Sequence, residues 1–273
     1  MLMNLEIALS ITERLIGIWA TISSAEWLVG ARLFADDGIL SWRVLGLRRG
    51  AVRTRPISQL VASIEGTRVV LVLRLLAGVA MLFAPQPLIA LPVLVLLLGT
   101  HLWMSYRSVF GGDGSDQMGL VLMIGSIITV AGLCFRSPDV AMWGMVAIAG
   151  QATLSYFFAG AAKFVSPIWR GGDALMGVMK TQTYGHVQAE RLGGSHPSLA
   201  KVICWVVIVT EMLFPLVLFA PTPILIAALC GFAFFHVSNA YFMGLNTFVW
   251  TFVGTYPAVI LINGVIRSFL GWT

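Results

Sequence analysis

The chain has 273 residues, 58% of them hydrophobic and only 11% charged, whereas soluble domains carry about 25% charged residues. With a mean hydropathy of +0.90, this composition excludes an ordinary soluble domain and marks an integral membrane protein. The formal net charge of +5 does not point to nucleic acid, because the basic residues cluster beside hydrophobic runs, as topology determinants do.

The opening MLMNLEIALS has no basic n-region and carries Glu6, so no cleaved signal peptide is expected. A spanning helix needs about 17–20 apolar residues. By that measure spans fall near 8–33, 67–84, 87–106, 118–135, 139–164, 200–220, 222–242 and 246–267. The expected fold is an all-α integral membrane protein, a polytopic bundle of about eight transmembrane helices in a single domain over 1–273. Glu13, Arg14, Glu26 and Arg32 interrupt the first span, which can also lie partly in the interface.

Residues 34–66 form a basic loop with Arg43, Arg48, Arg49, Arg53 and Arg55, and Arg68 follows it. Within the next two spans, Arg74 and His101 are embedded, and Arg74 is expected to pair with Glu13 or Glu26 because charges in a bilayer need partners. The turn "YRSVFGGDGSDQMGL" contains Arg107, Asp113 and Asp116. Its two aspartates suit either a cation or backbone-amide site or a plain helix start. No EF-hand or phosphate-loop pattern is present, and no metal site is expected.

In the span 139–164, Ala152, Ser155, Ala159 and Ala162 recur at three and four residues, a small-residue stripe that admits a close neighbouring helix. Lys163 continues that face. It reads either as a headgroup anchor beside an interfacial Trp169 or as a partly desolvated lysine able to act as a base. Residues 166–199 form the longest polar stretch after it, with Arg170 near its start. There Asp173 is expected to cap an interfacial helix with Leu175, Met176, Met179 and Val187 on its apolar side.

Glu211 lies mid-span, and Pro215 four residues on cannot donate to its carbonyl, so a kink is expected beside the carboxylate. His236 and Asn239 share one face of the next helix. Lys163, Glu211 and His236 are therefore the candidate catalytic set, a proton-handling or ligand pocket, with static interhelical pairing as the competing reading. Trp169, Arg170, Asn239, Asp113 and Asp116 are candidate pocket residues. Cys134, Cys204 and Cys230 are odd in number and form no CxxC, so they read as lipid-facing or core-packing residues. Most of the 17 lysines and arginines fall in 34–68, at 107 and in 163–201, which by the positive-inside rule makes those loops cytoplasmic in the cell membrane.

Taken in order, "YRSVFGGDGSDQM", "YFFAGAAKFVSPIWRGGDAL", "EMLFPLVLF" and "FHVSNAYFMGLNTFVWTFVGTYP" resemble the signatures of the horizontally transferred transmembrane domain family, bacterial relatives of the membrane part of vitamin K-dependent gamma-carboxylase. The matches cover about residues 105–257, and the second is the most specific. Ala159, Gly160, Lys163 and Trp169 follow the family's alanine-glycine pair, catalytic lysine and tryptophan, with one extra residue before the tryptophan. The resemblance implies that Lys163 deprotonates a reduced quinone, whose reaction with oxygen yields a strong base.

Near Gly114 the family's second functional residue, a histidine, has no counterpart. The sequence also ends near its last span, without the large extramembrane domain that binds the carboxylase's peptide substrate. Protein carboxylation is thus expected only where a separate subunit presents the peptide. Two functions remain in view: a quinone-dependent redox or carboxylase-like enzyme using Lys163 as base, and a non-catalytic membrane subunit of a larger assembly or an accessory factor for peptide maturation or export. The lipid bilayer is a partner in both, with partner membrane subunits or a peptide substrate beside it. A transporter ranks last, because the pattern has no repeat symmetry and no paired short segments.

Overall fold

The computed structural model describes residues 4–48, 50, 55–83, 86–108 and 112–272. Among them every regular element is a helix, the form in which a chain immersed in lipid satisfies its backbone groups internally. Six helical stretches are long and apolar enough to cross a membrane, so the fold is an all-α multi-pass membrane bundle. The described residues form two compact units, Leu5–Met145 and the residues from Val146 on together with Asn4.

The first unit contains α1 (Leu5–Val29), α2 (Trp42–Leu45), α3 (Pro56–Ala62), α4 (Ile64–Met81), α5 (Pro87–Arg107), α6 (Gly114–Cys134) and the first part of α7 (Pro138–Val165). α5, α6 and α7 are three of the six apolar stretches. α1 and α4 stand outside that set. They have 25 and 18 residues but carry Glu6, Glu13, Arg14 and Glu26 on one, and Glu65, Arg68 and Arg74 on the other. These two helices run antiparallel and touch backbone to backbone. A Cβ on Gly17 would lie 2.7 Å from the Gly78 carbonyl, and one on Gly78 2.9 Å from the Thr21 nitrogen.

Arg107, expected as a topology charge in a loop, is fully buried. Its Nε donates to Thr67 Oγ1 (2.9 Å), Nη1 to the Leu40 carbonyl (2.8 Å), and Nη2 to the Ala62 and Phe34 carbonyls (3.0 and 3.3 Å). The guanidinium lies 4.3 Å from the centre of the Phe34 ring. Beside it Phe34, Leu40, Leu45, Leu71 and Met104 form an apolar cluster. The described part of 34–66 is therefore folded onto α4 and α5, with three carbonyls collected by one arginine; Arg49 and Arg53 lie outside the described residues.

The second unit contains the rest of α7, then α8 (Pro167–Gly171), α9 (Asp173–Met179), α10 (Val187–Ser195), α11 (Pro197–Leu213), a 3-10 segment (Phe214–Leu218), α12 (Thr222–Met243), α13 (Asn246–Val253) and α14 (Tyr256–Phe269). The interfacial region is three short helices where one was expected. Asp173 opens α9 without capping it, because Gly172 occupies the cap position at φ +98°. Ala174 and Met179 are the buried residues of α9, and Val187 points outward at 62% exposure.

The last span, expected as one helix, breaks between α13 and α14. Pro257 has no N–H to give to the Val253 carbonyl, and the Gly254 and Thr255 amides bond instead to the Trp250 and Phe252 carbonyls. Of the cysteines, Cys204 is buried, Cys134 half-buried and Cys230 exposed, and all three are free.

Candidate functional site

α7 sets the position of Lys163 through the face it buries. Ala152, Tyr156 and Gly160, spaced by four, are buried, while Ser155 and Ala159 are half-buried and Ala162 is exposed. The contact face is thus rotated from the expected small-residue stripe, because a tyrosine with partners packs inward as readily as an alanine. Close approach depends on a single residue. A Cβ on Gly160 would lie 2.6 Å from the Met212 nitrogen and 2.9 Å from Glu211 Cβ, so α11 rests directly on α7 there.

The two helices run antiparallel, with Gly160 facing Met212 and, beyond the end of α7, Trp205 Nε1 donating to the Arg170 carbonyl at 3.2 Å. Gly172 provides a second close approach, where a Cβ would meet Lys201 Cα at 2.7 Å. Glu211 is consequently delivered directly against Gly160, on the side where Lys163 follows at i+3.

Lys163 Nζ donates to Glu211 Oε2 at 2.6 Å, and its next acceptor is the Ala159 carbonyl at 3.5 Å. Such a short N–H···O bond is characteristic of a charge-assisted pair. The lysine therefore turns to protein rather than snorkelling to the headgroups. Its side chain is 19% exposed against 5% for the glutamate, so Lys163 covers the carboxylate. The Trp169 ring, on α8, lies 5.2 Å from Nζ, within cation–π range, while Arg170 is exposed.

Pro215 acts on the same carboxylate's backbone. The Glu211 carbonyl, denied its usual donor, takes the Phe214 amide instead, and the chain tightens into the 3-10 segment. Asn263 of α14 then donates through Nδ2 to the Val217 and Ala220 carbonyls (2.8 and 2.9 Å). The expected kink is an over-wound turn fixed by a side chain.

His236 belongs to a different cluster from Lys163 and Glu211. Its Nε2 is hydrogen-bonded to Tyr156 Oη at 2.7 Å, and Tyr156 Oη lies 3.4 Å from Tyr256 Oη. Phe214, Phe232 and Phe252 pack around the Tyr156 ring at centroid distances of 4.2, 4.5 and 5.3 Å. Tyr156 precedes Lys163 by two helical turns, about 10 Å along α7. Asn239 lies one turn beyond His236 on α12, half-buried.

Asp113 and Asp116 lie in the first unit, where they form a capping box at the start of α6. Asp113 Oδ1 accepts from the Ser115 and Asp116 amides (2.8 and 3.3 Å), and Asp116 Oδ2 accepts from the Asp113 amide (3.1 Å). Their oxygens serve the helix, and no group of three or more metal-ligating side chains occurs among the described residues.

Behind that cap, Arg74 Nη1 donates to Ser23 and Ser24 (2.7 and 3.3 Å), and the guanidinium sits 4.7 Å from the Trp19 ring centre. It meets hydroxyls and an indole face, whereas Glu13 Oε1 is buried without a hydrogen-bond partner. His101 packs on Trp19 at 5.4 Å. A cavity of about 30 Å³, lined by Arg74, His101, Ser105, Ser108 and Asp116 among others, is room for a water or two.

Tyr156, Asn263 and the particular role of Gly160 were not foreseen. The only available signals were a tyrosine among phenylalanines, an asparagine inside an apolar helix, and one glycine amid alanines. Compared with models of known families, with curated proteins and with solved structures, the chain matches none.

Proposed function

We propose that this membrane protein is an enzyme that takes a lipid-soluble reduced quinone at Lys163 and Glu211, as its resemblance to the gamma-carboxylase membrane domain suggests. The observation that carries the reading is the 2.6 Å pair with its lysine side reachable at 19% exposure. A charged pair within spanning helices is costly unless it has work to do or a partner to satisfy it. The residues fit such a ligand: an amine and a carboxylate meet a hydroxyl, and the Trp169 indole offers a flat apolar face. A reduced quinone supplies an acidic hydroxyl and, with oxygen, oxidising chemistry; the chain supplies the proton handling. The reading places the protein in the cell membrane with its arginine-rich loops cytoplasmic, and leaves any peptide substrate to a separate subunit.

A second reading, a non-catalytic assembly or maturation subunit, draws on the part of the small-residue stripe that α7 leaves incompletely covered, Ser155 and Ala159 half-buried and Ala162 exposed. Native mass spectrometry from mild detergent separates the two. The enzyme reading expects a co-purifying quinone-sized ligand that is lost in Lys163→Ala. A ligand-free protein released with stoichiometric partner chains, unchanged by that substitution, would establish the subunit.

A further inference from the structure

We infer that the ligand's proton comes to rest on Glu211, with Lys163 acting as relay and counter-ion; this assignment rests on the quinol reading above. An ammonium has no lone pair, so Lys163 can accept a proton only after surrendering one. Two acceptors lie within reach of Nζ: Glu211 Oε2 at 2.6 Å and the Ala159 carbonyl at 3.5 Å. A carbonyl cannot hold the proton, and a carboxylate can.

The exposures order the steps. At 19% exposure Lys163 is the member an incoming ligand meets, and at 5% Glu211 is screened behind it. Gly160, by seating α11 on α7, keeps the acceptor in place before any ligand arrives.

In the transfer one Nζ–H bond breaks and an Oε2–H bond forms. The ligand O–H bond then breaks and a new Nζ–H bond replaces the one lost. Lys163 ends as it began, an ammonium, now beside an aryl oxide, and Glu211 ends as a neutral acid. No oxidant is needed and the total charge of the site stays at zero throughout, which a low-dielectric environment favours over releasing a proton to water. Of the remaining titratable groups, Arg170 on α8 is exposed, and Tyr156, one turn before Gly160 on α7, is already hydrogen-bonded to His236.

The test uses 1-naphthol, a lipid-soluble hydroxyarene with a single hydroxyl, added to the full chain in nanodiscs at neutral pH. Absorbance reports whether bound naphthol is ionised, and titration calorimetry in two buffers of different ionisation heat counts protons exchanged. Wild type should bind naphtholate with no net proton release. Glu211→Gln should bind naphtholate while releasing about one proton per ligand, because the lysine remains charged and its proton sink is gone. Lys163→Met should not ionise the ligand.

If Glu211→Gln still releases none, the lysine alone is the base and the assignment falls; a proton released by wild type overturns it as well. Should Glu211→Gln fail to fold, infrared difference spectra of wild type decide. Naphthol binding must raise a carboxylic acid C=O band that moves on isotope labelling of glutamate, and absence of that band overturns the assignment. If wild type does not bind naphthol at all, the quinol reading fails and takes this assignment with it.

Discussion

At the residue scale, the ion pair joins side chains 48 positions apart, each with one natural partner. Removing either leaves a charge in a poorly solvated place. Lys163→Met and Glu211→Leu alone should each cost about 2–3 kcal/mol, the usual penalty for breaking a buried pair reduced for the lysine's partial exposure. The double substitution should recover much of that loss, since two apolar side chains of similar volume replace the pair without stranding a charge. Thermal unfolding in detergent of all four proteins gives the coupling directly, and additive losses would mean the two groups do not act as a pair.

Lys163 and Glu211 were legible in the sequence because an ionisable side chain in an apolar run demands a partner. That His236 falls in a separate cluster was not. Distances across helices depend on which face each turns inward, and Tyr156, the residue that claims His236, is indistinguishable in a hydrophobic run from its lipid-facing neighbours Phe157 and Phe158, both exposed.

At the scale of elements, two contacts decide where helices lie. Gly160→Ala should drive α11 off α7, because the added carbon meets backbone at 2.6 Å. A loss of about 1–3 kcal/mol should accompany loss of any ligand that needs the pair. Gly150, which has open space around its Cβ position, serves as the control: Gly150→Ala should be neutral or slightly stabilising by melting temperature.

The second contact is Arg107. Arg107→Met strips hydrogen bonds from three carbonyls and a hydroxyl at once, and should cost about 3 kcal/mol or more. It should also open the 34–62 region to protease before the rest of the chain unfolds; uniform digestion would show that the arginine does not hold that region. Counting positive charges treated this arginine as solvated, and nothing in its neighbours Tyr106 and Ser108 says otherwise. Helix positions themselves were readable because the apolar runs are long and end at prolines: Pro87, Pro138 and Pro197 each open a helix. Of the breaks inside such runs, the one at Phe214–Leu218 was readable from Pro215, whereas the one before Pro257 follows from the same missing proline N–H but is masked by unbroken hydropathy.

At the scale of the whole molecule, six apolar stretches leave the charged helices α1 and α4 as the variable in topology. Their 25 and 18 residues amount to about 37 and 27 Å of helix, and Glu13 and Arg74 are turned inward at 3% exposure each. Both helices should therefore cross the bilayer, with Glu13 and Arg74 screened by protein and Arg14 left exposed on α1. In a background lacking the three native cysteines, Asp37→Cys and Ser195→Cys should then label with an impermeant maleimide from one face of oriented vesicles, and Asp139→Cys from the other. Labelling of Asp37→Cys together with Asp139→Cys would leave α4 on the surface and reduce the count to seven, or to six where α1 does not cross either.

The Lys163–Glu211 contact also bears on how the protein is made. A lone acidic residue at the centre of a nascent span disfavours its partition from the translocon into lipid by about 2.5–3.5 kcal/mol. Glu211 lies within the apolar stretch Pro197–Leu218, two residues before α11 gives way to the 3-10 segment. Its counter-charge, by contrast, is already present at the end of a helix synthesised earlier. α7 would thus have to remain at the exit site until α11 emerges, so that the two leave as a neutral unit, and ribosome-stalled chains should crosslink between them before either reaches bulk lipid.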